Sequence, residues 1–232
     1  MDYGAYFEYR KVDPTNYRGF NLPTYLKNAL GRDLNVRILD FGGGFGQISN
    51  ALRESGYKNV ELLDISPPAL AHSRSIGLTC YDGNEPGFYE AHQESYDFVI
   101  LSHVVEHFPK DDAIVILAKV REVLRPGGSV IVMVPNAQSN TGAYWAYEDF
   151  THYTMYTSGS LYYVLRAAGF NEVVFLDPDC LEGSAWHKKL FRKILLKLYR
   201  ANYVFWNKVT GSSTHIASPL IFSYEVKALG RR

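Results

Sequence analysis

Apolar residues change their spacing repeatedly along the chain, and that alternation sets the expectation for the fold. Phe98-Val99-Ile100-Leu101 and Val130-Ile131-Val132-Met133-Val134 are unbroken apolar runs of strand length, as in strands covered on both faces. They form the cores of predicted strands at Tyr96–Leu101 and Ser129–Val134, and Val36–Asp40, Val60–Leu63 and Leu78–Tyr81 read as three earlier ones. Between them the period turns helical. Ile48, Ala51 and Leu52 share one face of Gln47–Ser55, with Gly56 as a stop, and Pro67-Pro68 opens a second short helix. Asp111–Leu124 places Asp111 and Asp112 at a positive helix N-terminus, and Pro126-Gly127-Gly128 ends it. A short helix at Leu22–Leu30, closed by Gly31, precedes the first strand, and residues 1–34 as a whole read as an N-terminal cap whose first 21 residues are tyrosine-rich and aperiodic. After Pro135 come an aromatic loop at Asn136–Tyr156, a helix at Ser160–Ala168, a sixth strand at Asn171–Leu176 and a seventh within His215–Ala228, centred on Leu220–Val226. Strands alternating with helices predict one α/β domain over residues 1–232, with a mostly parallel sheet covered on both faces.

The segment 183–213, between the sixth and seventh strands, is too long for a plain loop. Leu190, Phe191, Ile194, Leu195 and Leu198 share one helical arc, with Lys189, Arg192, Lys193, Lys197 and Arg200 opposite and Leu196 intruding on the basic side. The expectation is a helix packed on the domain with a solvated basic face. The alternative is a membrane-surface helix over 188–200, or a dock for an anionic acceptor.

Composition narrows the function classes. The 232 residues carry 24 basic and 24 acidic side chains, so no electrostatic footprint for nucleic acid is present and none is expected as partner. Cys80 and Cys180 have neither disulfide-framework nor metal-ligand spacing. The start MDYGAYFEYR lacks the features of a signal peptide, and no apolar run is of spanning length. These features predict a cytoplasmic protein, touching the inner face of a membrane if 188–200 is a surface helix.

The turn after the first strand carries the chemistry. It reads Asp40-Phe41-Gly42-Gly43-Gly44-Phe45-Gly46, a D-x-G-x-G-x-G pattern between strand and helix. A dinucleotide turn of the form G-x-G-x-x-G starting at Gly42 would need glycine at position 47, which is Gln47. A carboxylate at the strand end would repel a pyrophosphate and favour a cationic amino group. S-adenosylmethionine offers such a group and no phosphate. Asp64 ends the second strand, where a carboxylate can accept from both ribose hydroxyls, and Asp82 follows the third, within reach of an adenine amino group.

Together with Ser102-His103-Val104-Val105-Glu106-His107 after the fourth strand and Leu124-Arg125-Pro126-Gly127-Gly128 before the fifth, these residues resemble the class I S-adenosylmethionine-dependent methyltransferases, in the broad group acting on small molecules and sugars. The resemblance is good over Leu22–Val134 and looser through Asp149-Phe150-Thr151-His152 and Ala167–Phe170. It implies a Rossmann-like α/β fold: a seven-stranded, mostly parallel sheet with an antiparallel last strand, here with a helical insertion between strands 6 and 7. It also implies S-adenosylmethionine as cofactor, bound by Asp40, Gly42, Gly44, Gly46, Asp64, Ile65, Asp82, Gly83, Ser102 and His103.

Transfer to a hydroxyl requires alignment and removal of its proton, a task suited to histidine. His152, oriented by Asp149, is the first candidate base and His107 the second, with Glu106 adjacent to orient it. A metal-assisted variant through Asp149 or His152 stays open, but no set of residues stands out at metal-ligand spacing. The expected activity is O-methylation of a sugar or small-molecule hydroxyl, with surface-polysaccharide biosynthesis as the most specific version. The alternatives are methylation of a phosphate, lipid or quinone acceptor, or an NAD-dependent oxidoreductase on the same architecture.

Overall fold

The computed structural model describes residues 8–9, 21–213 and 219–232. Most of the tyrosine-rich N-terminal reading, and positions 215–218 of the seventh-strand reading, lie outside the described residues.

The elements follow the expected alternation: α1 Thr24–Leu30, β1 Arg37–Phe41, α2 Gln47–Glu54, β2 Asn59–Asp64, α3 Pro67–Ser75, β3 Thr79–Asp82, α4 Phe88–Ala91, β4 Tyr96–Ser102, α5 Lys110–Val123, β5 Leu124–Pro135, α6 Gly142–Glu148, α7 Ser158–Ala167, β6 Glu172–Phe175, α8 Trp186–Thr210 and β7 Glu225–Arg231. The strands form one seven-stranded sheet in the order β3-β2-β1-β4-β5-β7-β6. β1 pairs in parallel with β2 and β4, β2 in parallel with β3, and β6 antiparallel with β7.

The chain divides into two compact units. One runs to Ser102 and adds Lys119–Ile131 and Arg232; the other comprises His103–Ala118 and Val132–Arg231. In the first, successive β1 residues are buried although their side chains alternate between faces: Ile38, Leu39 and Asp40. Both faces are therefore covered, which is why the strand is a continuous apolar run. Leu62, Leu70 and Leu78 form a core against which Ile76 and Cys80 pack. The parallel register puts Asp40 opposite Leu62 and Asp64 opposite Asp82, so the carboxyl ends of these strands deliver their loops to one edge.

Several boundaries differ from the sequence expectation. Arg125, Pro126 and Gly127 do not separate helix from strand; they are the exposed start of a 12-residue β5. Arg125 is held there by Asp97, at 3.0 Å from Oδ1. The aromatic loop contains α6. β7 lies later than its apolar centre suggested, because Glu225 and Lys227 are both buried in it, 3.1 Å apart. A mutually neutralised pair reads as polar sequence although it is interior.

α8 departs most. No residue of its 25 is buried, and the arc expected to pack, Leu190, Phe191, Ile194, Leu195 and Leu198, is exposed. Leu196, Tyr199 and Tyr203 are the half-buried side, with both tyrosine rings 5.0 Å from Phe222.

In the second unit, fully buried Asn136 donates through Nδ2 to the carbonyls of Ile221 at 2.8 Å and Ser223 at 2.7 Å. Those bonds hold the approach to β7. Asn136→Ala leaves both carbonyls without that donor, and chemical denaturation should show a loss of about 2–3 kcal/mol. A loss under about 0.5 kcal/mol would mean that the approach to β7 is held by other contacts.

Candidate functional site

In the first unit, the glycine turn is built from below by Asp40. Its carboxylate is 1% exposed, and Oδ2 accepts from the Ser49 hydroxyl at 2.6 Å and the Ser49 N–H at 3.1 Å, tying the end of β1 to the first turn of α2. Burial raises its pKa to about 6, with the Ser49 bonds opposing and Asp64 adding to the rise. Gly42, Gly44 and Gly46 take φ values of +70°, +54° and +79°. Gly43 is needed for a different reason: a Cβ there would stand 2.7 Å from Leu62 and 2.8 Å from the Asp40 carboxylate. At Gly44 a Cβ would meet nothing within 4 Å, so this part of the turn faces open space.

Asp64 reaches back to the turn. Its Oδ2 accepts from the Gly44 N–H and its Oδ1 from the Ser66 N–H, each at 2.8 Å, and burial pushes its pKa upward against those bonds. The third acid turns inward on its own loop, since Asp82 Oδ1 accepts from the backbone and side chain of Asn84. Gly83 donates to the Asp64 carbonyl at 2.8 Å and lies against Ile65, whose side chain is half exposed. Ser102 ends β4 one residue past the Phe41–Leu101 pairing. Asp40, Gly42, Gly44, Gly46, Asp64, Ile65, Asp82, Gly83 and Ser102 thus gather at one strand edge.

The second unit holds the remaining candidates. His103, at φ +55°, places its ring between two carboxylates: Nδ1 is 3.2 Å from Glu106 Oε1 and Nε2 is 2.8 Å from Glu225 Oε1. Burial alone would lower its pKa, but the two acids prevail and push it up to about 10. Glu106 therefore orients His103, not its neighbour His107.

His107 has its own chain of bonds. Asp149 Oδ1 accepts from the Thr151 N–H at 3.0 Å and from the Thr151 hydroxyl at 2.5 Å. Burial would raise the Asp149 pKa, but the Thr151 bonds and the nearby histidines hold it below the usual range. An ionised carboxylate only accepts, so the hydroxyl proton is committed to it. Thr151 Oγ1, 2.8 Å from His107 Nδ1, must then accept from that ring, so Nδ1 carries the hydrogen and Nε2 a lone pair. Burial lowers the pKa of His107. His152 Nδ1 is 2.9 Å from the Trp145 carbonyl, which also only accepts, so its Nε2 is bare as well. That Nε2 is 3.7 Å from Asp149 Oδ2, too far for a hydrogen bond. Asp149 therefore acts on His107 through Thr151, while its backbone carbonyl accepts from the His152 N–H at 3.1 Å. The two rings lie 4.8 Å apart. Tyr144, Tyr147, Phe150 and Tyr153, near them in sequence, are exposed.

Residues 13–174 match a family model described as a methyltransferase domain. The chain belongs to the methyltransferase domain family. It is 26% identical over 140 residues to N-terminal Xaa-Pro-Lys N-methyltransferase 1 of Danio rerio, spanning 56% of this chain and 60% of that protein. It is 25% identical over 158 residues to demethylmenaquinone methyltransferase of Bacillus velezensis, spanning 68% and 57%. The chain thus covers under two thirds of either relative. A crystal structure of a SAM-dependent methyltransferase from Archaeoglobus fulgidus shares the fold with a TM-score of 0.67 at 15% identity, covering 100% of both chains.

The family match and the shared fold agree with the class I reading of the sequence, in which S-adenosylmethionine is the cofactor. The first unit fits that cofactor: its turn is side-chain-free over Gly42–Gly44 and open at Gly44, with a buried acid beneath it and further acids after β2 and β3. Hydride transfer with NAD has no support from the family match or the glycine spacing. Ser49, Gly43, Thr151 and Glu225 are site residues that motif reading misses. Only Gly43 carried a visible signal, as the middle of a glycine triplet.

Burial of Asp40 has a pH signature. Its folded pKa of about 6 exceeds an unfolded value near 4, so the folded state binds more protons between them and stability falls as pH rises through that window. Asp40→Asn should be more stable than wild type at pH 7, by on the order of 2–3 kcal/mol at most, with the gain vanishing near pH 4. Its affinity for S-adenosylhomocysteine at pH 7 should drop at least ~10-fold, the loss of one charge-assisted contact. Denaturation at both pH values and calorimetry check this; an equal stability gain at pH 4 would rule out ionisation as its source.

Proposed function

We propose that this methyltransferase transfers the methyl group to a hydroxyl of a sugar or related small molecule, with the histidine cluster of the second unit activating that hydroxyl. The observation that carries this reading is the pair of imidazoles whose Nδ1–H groups are both spoken for, leaving Nε2 lone pairs to face an acceptor. S-adenosylmethionine supplies a methyl group already activated by its sulfonium. The residues that hold it are Asp40, Gly42–Gly46, Asp64, Ile65, Asp82 and Gly83. His107 is the better base: its tautomer is set by Thr151, and Asp149 behind Thr151 stabilises the imidazolium that forms. The acceptor O–H breaks, its proton goes to Nε2 of His107, and the electron pair stays on oxygen for attack. This reverses the order in which sequence ranked the two histidines.

His107→Ala should lower turnover of a hydroxyl acceptor by about 10²–10⁴ while S-adenosylhomocysteine affinity changes less than about threefold. Radiolabelled methyl transfer across a panel of glycans, sugar nucleotides and phenolic or quinone precursors identifies the acceptor. Label found only in quinone products would favour the second reading, suggested by the demethylmenaquinone methyltransferase relative.

α8 supports an acceptor presented at a membrane surface, such as a lipid-linked glycan. Its 25 residues hold seven Lys and Arg and no Asp or Glu. Leu190, Phe191, Ile194, Leu195, Leu198 and Phe205 project on one exposed arc beside those cations. An anionic bilayer surface matches both features, taking the apolar arc into the headgroup boundary and pairing with the basic flanks. No helix among the described residues is long and apolar enough to cross a membrane. The full chain should co-sediment with phosphatidylglycerol-containing vesicles, less with neutral ones, and lose most binding in Phe191→Ser/Leu195→Ser. Binding unaffected by those changes, or self-association without lipid that buries the arc, would rule out the membrane.

A further inference from the structure

The cluster around His107 has a property that a simple base does not need. Glu106, His107 and His152 each offer one ligand atom, and these atoms all lie within 4.8 Å of one another. Glu106 is wholly buried. Its Oε1 accepts from His103, but its Oε2 meets no hydrogen-bond partner among the described residues. A buried carboxylate oxygen left this way is unfavourable unless a cation satisfies it.

The histidines are arranged as metal-binding histidines are. In such sites the ring nitrogen away from the metal donates to a fixed acceptor, which sets the tautomer and aims the lone pair. Here His152 donates through Nδ1 to the Trp145 carbonyl, and His107 through Nδ1 to Thr151 Oγ1 with Asp149 behind it. Two bare imidazole nitrogens and one carboxylate form a borderline-soft donor set. It suits Zn²⁺, Mn²⁺, Fe²⁺ or Co²⁺ better than Mg²⁺ or Ca²⁺, which prefer all-oxygen sites.

We propose that Glu106, His107 and His152 bind one divalent transition-metal ion, with Thr151, Asp149 and the Trp145 carbonyl as its outer support. Three protein ligands leave a coordination position for the acceptor. A hydroxyl taking that position is acidified: its O–H bond breaks, the electron pair stays on oxygen and the proton passes to water. This deepens the hydroxyl-acceptor reading and rests on it for the use of the ion. In the metal-loaded protein the cation, not a free imidazole, does the acidifying.

The binding test needs no acceptor. Tag-free full chain, stripped with chelator and exchanged into clean buffer, is titrated with Co²⁺ by visible absorption and with Zn²⁺ by calorimetry, with Mg²⁺ as the comparison. The expected result is one Co²⁺ per chain, displaced by Zn²⁺ and not by Mg²⁺. His152→Ala and Glu106→Gln should each weaken binding at least ~10-fold, and Thr151→Val, which removes only the support, about 10-fold. His187→Ala, on α8, should leave affinity unchanged. Circular dichroism checks the fold of each variant; if Glu106→Gln unfolds, His152→Ala decides. No stoichiometric binding, or binding indifferent to His152→Ala, overturns the proposal. A stripped protein that still methylates a hydroxyl at full rate, with His107→Ala inactive, sinks the metal and keeps the base. Metal binding in a protein that methylates no hydroxyl keeps the ion and sinks the acceptor class.

Discussion

A carboxylate buried without a basic partner in hydrogen-bonding contact is unfavourable, and the cofactor half of this protein is organised around one. Asp40 holds Ser49 of α2 from the end of β1, and the glycine turn is stretched between those anchors. Because the acid sits directly beneath Gly43, no side chain fits there, and the backbone is left bare on its outer side. Asp64 then pins that bare backbone through Gly44. A positively charged group arriving over the turn meets an acid that burial has already made reluctant to ionise alone. Fold and affinity are thereby coupled: the same burial that strains the ligand-free protein favours a cationic ligand.

The second unit uses acids differently. Each is matched with a donor before it meets a ligand. Glu225 lies between His103 and Lys227, which keep its pKa below the usual range against the opposing effect of burial. Asp149 Oδ1 accepts twice from Thr151 and works at one remove on His107. The exception is the second oxygen of Glu106. The family match ends at residue 174, so Glu225, Lys227 and α8 lie outside the shared portion. The matched span contains both the glycine turn with its acids and the histidine cluster.

What was legible in the sequence follows from this division. The parallel strands, the turn and its acids could be read because their partners are near in sequence or fall at strand ends, where topology brings them together. Asp40, Asp64, Gly42, Gly44 and Gly46 were all placed at one edge before any coordinates. Thr151 was passed over because a threonine between an acid and a histidine has no spacing rule. Glu225 could not be seen as the partner of His103, 122 residues away. β7 was set too early because a buried Glu–Lys pair looks like surface. α8 was recognised as amphipathic, but periodicity cannot say whether the apolar side turns inward. Here a two-tyrosine contact with Phe222 took the inner side instead.

β6 and β7 pair directly with each other, from Glu172 opposite Arg231 to Phe175 opposite Ala228. The long helix between them in sequence contributes nothing to the interior. Leu181, Ile221 and Ser223, on the segments either side of it, are buried instead. α8 thus carries seven cations and an exposed apolar arc that the sheet does not need for its own packing.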